Sequence, residues 1–103
     1  MTLTAIITFE ISTTYEEWEP GFYAAQPTAR KAGIYDLAHG YDPENPNKCM
    51  VVLQAPSAEA LQEFFDKNVE AVVASGHIIE TTQISFYLFT IERFRLSNFI
   101  SGR

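Results

Sequence analysis

Apolar and polar positions alternate at the start of the chain. Leu3, Ala5, Ile7, Phe9 and Ile11 fall on one side of an extended segment; Thr2, Thr4, Thr8 and Glu10 fall on the other. Only Ile6 breaks this period of two, which predicts a half-buried strand over Thr2 to Ile11. The period then changes. Tyr15, Trp18 and Phe22 recur at helical spacing behind a run of N-cap residues, Ser12-Thr13-Thr14. Thr13 with Glu16 and Thr14 with Glu17 both fit a capping box. Glu16, Glu17 and Glu19 sit near the helix start, where the macrodipole favours negative charge. Pro20-Gly21 predicts an early kink or split, because proline lacks the N–H and crowds the preceding turn. Pro27 opens a second short helical piece, Thr28 to Ala32, with Gly33 as its left-handed stop.

Ile34 to Tyr41 reads as a second strand, weakened by Ala38 and Gly40. Asp42 to Asn47 is a polar connection punctuated by two prolines. Lys48 to Ala55 is a third strand, rich in apolar and β-branched residues. Ser57 then caps a second helix. Leu61, Phe64, Phe65, Val69, Val72 and Val73 form its apolar stripe, Glu59, Glu63, Asp66, Lys67 and Glu70 its solvent side, and Gly76 its stop. Gln83 to Glu92 is the last strand, and residues 93–103 are a tail or extension. The order strand, helix, strand, strand, helix, strand predicts an α+β, ferredoxin-like βαββαβ domain: a four-stranded antiparallel sheet with both helices on one face.

Composition narrows the function. A chain of 103 residues is one domain, and 47% hydrophobic residues are enough for a core without a staple. The single cysteine, Cys49, excludes an intrachain disulfide and a cysteine-based zinc cluster. A net charge of −6 repels phosphate backbones and anionic lipid, so nucleic-acid and membrane-surface roles are not expected. No apolar run is long enough to span a bilayer, and no basic region precedes an apolar stretch at the start, so a soluble, cytoplasmic protein is expected. Glycine-rich phosphate loops, a basic stripe and a nucleophile elbow around Thr81, Thr82 or Ser85 are all missing from the sequence.

One excess stands out. A sheet covered on one side alternates apolar with polar, yet the last strand places Phe86 and Leu88 one way and Tyr87, Phe89 and Ile91 the other. Met50 and Val52 against Val51 and Leu53 repeat this in the third strand. Monomers rarely expose so large an apolar patch. The expected cover is the same face of a second copy, making a homodimer through sheet faces. The competing cover is the tail itself, through Phe94, Leu96, Phe99 and Ile100.

These features resemble the dimeric α/β-barrel superfamily, and within it a small family of uncharacterised single-domain proteins. Ile7-Thr8-Phe9 followed by Tyr15-Glu16-Glu17-Trp18 carries the resemblance. So do Gln54-Ala55-Pro56, Phe64-Phe65, Ser75-Gly76-His77-Ile78, Thr81-Thr82 and Ile84-Ser85, up to Tyr87. The resemblance implies two ferredoxin-like subunits packed sheet to sheet, with a ligand cleft between sheet and helices of each. The superfamily contains cofactor-free monooxygenases, haem-degrading enzymes, isomerases and proteins that only bind. The haem-degrading members carry an asparagine in the first strand; here the first strand has none, and Asn68 lies in the second helix.

Two histidines and a few aromatics could carry chemistry. His77 follows the second helix and has a reference pKa suited to proton transfer; it also fits a loop residue bonded to the helix end. His39 lies among the phenols of the second strand, or else is an ordinary residue near a sheet edge. The two histidines do not show metal-ligand spacing, and a two-histidine site with Glu10 or Asp36 stays an open alternative without support, so no metal and no cofactor is expected. Trp18 and Tyr15, on the first helix, are candidate ligand contacts that core packing also explains. Glu10 and Tyr87 are further candidates; Glu10 would have a raised pKa if buried in an interface, or would pair with Arg93 or Arg95 at the rim. Cys49 lacks an activating neighbour. The expected function is binding of a small hydrophobic or aromatic molecule in the cleft. The alternatives are a cofactor-independent monooxygenase or isomerase using His77 or His39, and a structural or regulatory homodimer without a ligand.

Overall fold

Six elements follow in the expected order: β1 (Thr2–Ile11), α1 (Tyr15–Lys31), β2 (Tyr35–Asp42), β3 (Asn45–Gln54), α2 (Ala58–Ala74) and β4 (His77–Phe89). The computed structural model describes residues 2–90. The strands form one antiparallel sheet in the order β2-β3-β1-β4, the ferredoxin-like βαββαβ arrangement. The expectations for Ile91, Glu92 and the tail, including Phe94, Leu96, Phe99, Ile100 and the pairing of Glu10 with Arg93 or Arg95, lie outside the described residues.

The alternation in β1 sets the layers. Ala5, Ile7, Phe9 and Ile11 are buried on the helix side with Cys49, Val51 and Leu53 of β3, under Tyr15 and Trp18 of α1 and Leu61 of α2. Each large apolar side chain buried there contributes roughly 1.5–3 kcal/mol. Of the two possible capping boxes, the chain uses Thr14: its hydroxyl accepts from Glu17 N at 3.2 Å, and Glu17 Oε1 accepts from Thr14 N at 3.2 Å.

Three expectations are corrected. First, α1 does not split at Pro20-Gly21, and no second piece begins at Pro27; it is one helix of 17 residues containing both prolines. Each proline removes one helical hydrogen bond. The stripe Tyr15, Trp18, Phe22 and Ala29 packs on the core on both sides of Pro20, and that burial holds the turns together. Second, β3 begins at Asn45, not Lys48. Pro43-Glu44 makes a two-residue turn, with Asp42 Oδ1 accepting from Glu44 N at 2.9 Å. Third, β4 begins at His77, not Gln83. Its pairing jumps from Glu10↔Ile78 to Thr8↔Gln83, so residues 79–82 form a bulge that a pattern of alternation does not see.

The two expected glycine stops hold. Gly33 has φ +81° and Gly76 φ +103°, values that side chains with a Cβ rarely adopt. A Cβ on Gly76 would sit 2.9 Å from Thr13 Cγ2. Among the described residues, no helix is long and apolar enough to cross a membrane.

Candidate functional site

The helices do not cover the sheet completely. An apolar cleft of about 410 Å³ lies between them. Ile7, Phe9, Val51 and Leu53 form its floor; Trp18, Phe22 and Ala29 line it from α1, and Leu61, Phe64, Phe65 and Val72 from α2. α1 passes close to the end of α2 at Gly21, where a Cβ would be in ordinary van der Waals contact with Ser75 Cβ at 3.5 Å. The helices pinch together at that point. Asn68 interrupts α2 with φ −120° and ψ 15°, and its Nδ2 donates to Phe64 O at 2.7 Å. It too faces the cleft.

His77 lines the cleft beside this pinch. Its ring stacks on Phe9, with centroids 4.0 Å apart and planes 6° from parallel. Nε2 lies 2.6 Å from Thr82 Oγ1. The β4 bulge makes this contact, and Thr81 fixes the bulge by accepting from Glu10 N at 2.8 Å and donating to Ile78 O at 2.6 Å. The side chain is almost wholly buried in apolar surroundings, and desolvation pushes its pKa down to about 4. At neutral pH the imidazole is uncharged.

His39 sits in a different setting on the same side of the sheet. Its Nδ1–H donates to Asp36 Oδ2 at 2.8 Å, and its Nε2 lies 2.9 Å from Tyr23 Oη and 3.1 Å from Glu19 Oε2. Gln26 Nε2 also donates to Asp36 Oδ2, at 3.3 Å. Asp36 and His39 meet only because Leu37 is an extra residue in β2: Asp36 pairs with Leu53 and Ala38 with Val52. Strict alternation would have put the two on opposite faces. Asp36 lines the cleft, and its Oδ1 is buried without a hydrogen-bond partner.

The residues singled out from sequence therefore separate. His77 and Trp18 line the cleft, and His39 stands behind its Asp36 wall. Tyr15 packs between Trp18 and Tyr41 at 5.4 and 4.7 Å and does not line the cleft. Burial and the Glu19 carboxylate push its phenol up to about 12, so it stays protonated. Glu10 and Tyr87 belong to the other face of the sheet, away from the cleft, and both are exposed. Cys49 is buried, and burial raises its thiol to about 11, which leaves it unreactive. Among the described residues no group of three or more His, Cys, Asp or Glu is placed to hold a metal ion. Sequence reasoning missed Asp36 and Gln26 as a polar unit at the wall, since the bulge that assembles it leaves no periodic trace.

No curated protein matches the chain. Solved structures do share its fold. A candidate antibiotic biosynthesis monooxygenase from Bordetella bronchiseptica is 17% identical, with a TM-score of 0.67 over 88% of this chain and 100% of that one. An antibiotic biosynthesis monooxygenase is 13% identical, with a TM-score of 0.56 over 86% and 99%. A candidate enzyme of the same description from Deinococcus radiodurans is 14% identical, with a TM-score of 0.54 over 86% and 93%. At these identities the likeness is one of fold, the ferredoxin-like βαββαβ arrangement. The model of the family described as Domain of unknown function (DUF3764) matches residues 1–89, and the chain belongs to that family.

Proposed function

We propose that this protein binds a small hydrophobic or aromatic molecule in the cleft between α1, α2 and the sheet. The observation that carries this reading is the cleft itself: about 410 Å³, apolar, with a few polar groups at its wall. Ligand sites of small molecules have this size and this make-up. Trp18, the one tryptophan of the chain, lines it and reports on occupancy. A panel of aromatic compounds screened by thermal unfolding tests the reading. A binder at a hundredfold excess over its Kd stabilises by about 2.7 kcal/mol and changes Trp18 emission. A panel in which no compound moves either signal would sink it.

A cofactor-independent monooxygenase or isomerase acting in the same cleft is the second reading. The shared fold with structures described as monooxygenases supports it, as does the Asp36–His39 pair at the wall. His77 and His39 are its candidate catalytic residues. Oxygen uptake with a phenol or quinol, lost in His77→Phe or His39→Ala, would support oxygenase activity; no uptake with any of them leaves binding alone.

The homodimer belongs to the same proposal. Met50 and Tyr87 are exposed on the sheet face away from the helices, beside the partly buried Ile6 and Val52. A second copy packed there would cover them. Sedimentation of the wild type as a dimer and of Val52→Lys as a monomer is the expected result.

A further inference from the structure

His77 lines the cleft, and one of its two ring nitrogens has a protein partner among the described residues. Thr82 carries one hydroxyl hydrogen, and its partner among the described residues is His77 Nε2. Thr81 next to it uses its own hydrogen on Ile78 O, so the two hydroxyls are not alternatives for that carbonyl. If Nε2 carried the proton, the Thr82 hydroxyl hydrogen would have no partner there. If Thr82 donates to Nε2, both groups are satisfied. The proton of a neutral imidazole then sits on Nδ1, which has no protein partner among the described residues. Around it the wall is apolar: Phe9 stacks on the ring, and Trp18 and Val72 line the same cleft.

We propose that the ligand of this cleft carries a neutral carbonyl group, and that His77 holds it by donating a hydrogen bond from Nδ1 to the carbonyl oxygen. This rests on the cleft-binding reading above and adds the ligand's chemistry to it. A carboxylate fits less well. The imidazole is uncharged, the chain carries −6, and Arg30, the basic side chain among the described lining residues, is exposed and donates to Gln26 at 3.0 Å. A neutral carbonyl costs far less to bring out of water than a carboxylate does, and a donor in the cleft offsets that cost. Thr82 is then a positioning residue: it touches no ligand and selects the tautomer that does.

Calorimetric titration with two molecules of one shape, 2-acetylnaphthalene and 2-isopropenylnaphthalene, tests this. One neutral hydrogen bond predicts about tenfold tighter binding of the ketone. His77→Phe keeps a flat ring on Phe9 but has no N–H; the two molecules should bind it equally, so the ketone's advantage is lost. Thr82→Val should reduce the ketone preference in the same direction. Nitrogen-15 spectra of the ligand-free protein give a readout that needs no variant: they should show Nδ1 protonated and Nε2 bare. Equal binding of the two molecules to the wild type, or the opposite tautomer, overturns the inference and leaves the cleft reading standing. No binding of either molecule overturns both.

Discussion

The two histidines occupy the same side of one sheet and have opposite surroundings. His77 lies against Phe9 in the pinched end of the cleft, with a single hydroxyl as its partner, and desolvation keeps it neutral. His39 stands in a web of Asp36, Glu19 and Tyr23, and Tyr23 is half exposed. One ring is held by apolar packing and the other by charge and hydrogen bonds. The difference teaches that the residue type does not set the surroundings of a histidine here; the groups that each strand brings around it do.

Removing the packing that makes the His77 end apolar should have the largest effect. Trp18 contacts Phe9 at 5.5 Å and Phe22 at 4.9 Å and is buried. Trp18→Ala should cost about 3–5 kcal/mol in urea unfolding. A loss under 1 kcal/mol would mean that the cleft collapses without harm.

Acid should expose the burial of His77 next. The folded-state pKa of His77 lies near 4, below its ordinary 6.5. Between these values the unfolded chain binds the proton and the folded chain does not. The stabilisation is therefore complete above about pH 6.5 and lost as pH falls toward 4, by up to about 3 kcal/mol. His77→Phe should remove this part of the pH dependence, read as the difference between wild-type and variant unfolding curves. Parallel curves over that window would contradict the burial.

The strained turn that delivers His77 comes third. Gly76→Ala forces a Cβ to within 2.9 Å of Thr13 at φ +103° and should cost about 1–2 kcal/mol. Since it shifts β4, it should also weaken binding of aromatic probes. His39→Ala should have the smallest effect, about 1 kcal/mol, because Glu19 and Tyr23 reach water once the ring is gone and Gln26 still donates to Asp36. It should leave binding of an apolar probe intact; loss of that binding would show that the polar web shapes the cleft floor.

Much of this was legible along the chain. Burial of Ala5, Ile7, Phe9 and Ile11 follows from alternation in β1, and the Thr14 cap and both glycine stops follow from local chemistry. These depend on neighbours within a few residues, which sequence order preserves. The continuity of α1 through Pro20 and Pro27 was not legible, because its stability comes from a sheet brought up from elsewhere. Alternation already put Glu10 on the face opposite Phe9; that Tyr87 shares that face follows from the β1–β4 register.

By itself the sequence determined the order of strands and helices and the core-facing sides of β1 and α2, since hydrophobic period and caps are local properties. Only the tertiary structure decided what surrounds each histidine. An extra residue at Leu37 turns His39 toward Asp36, and a bulge over 79–82 brings Thr82 to His77. Each bulge reverses the facing of every residue beyond it, and whether one forms depends on the partner strand, which no single stretch of sequence contains.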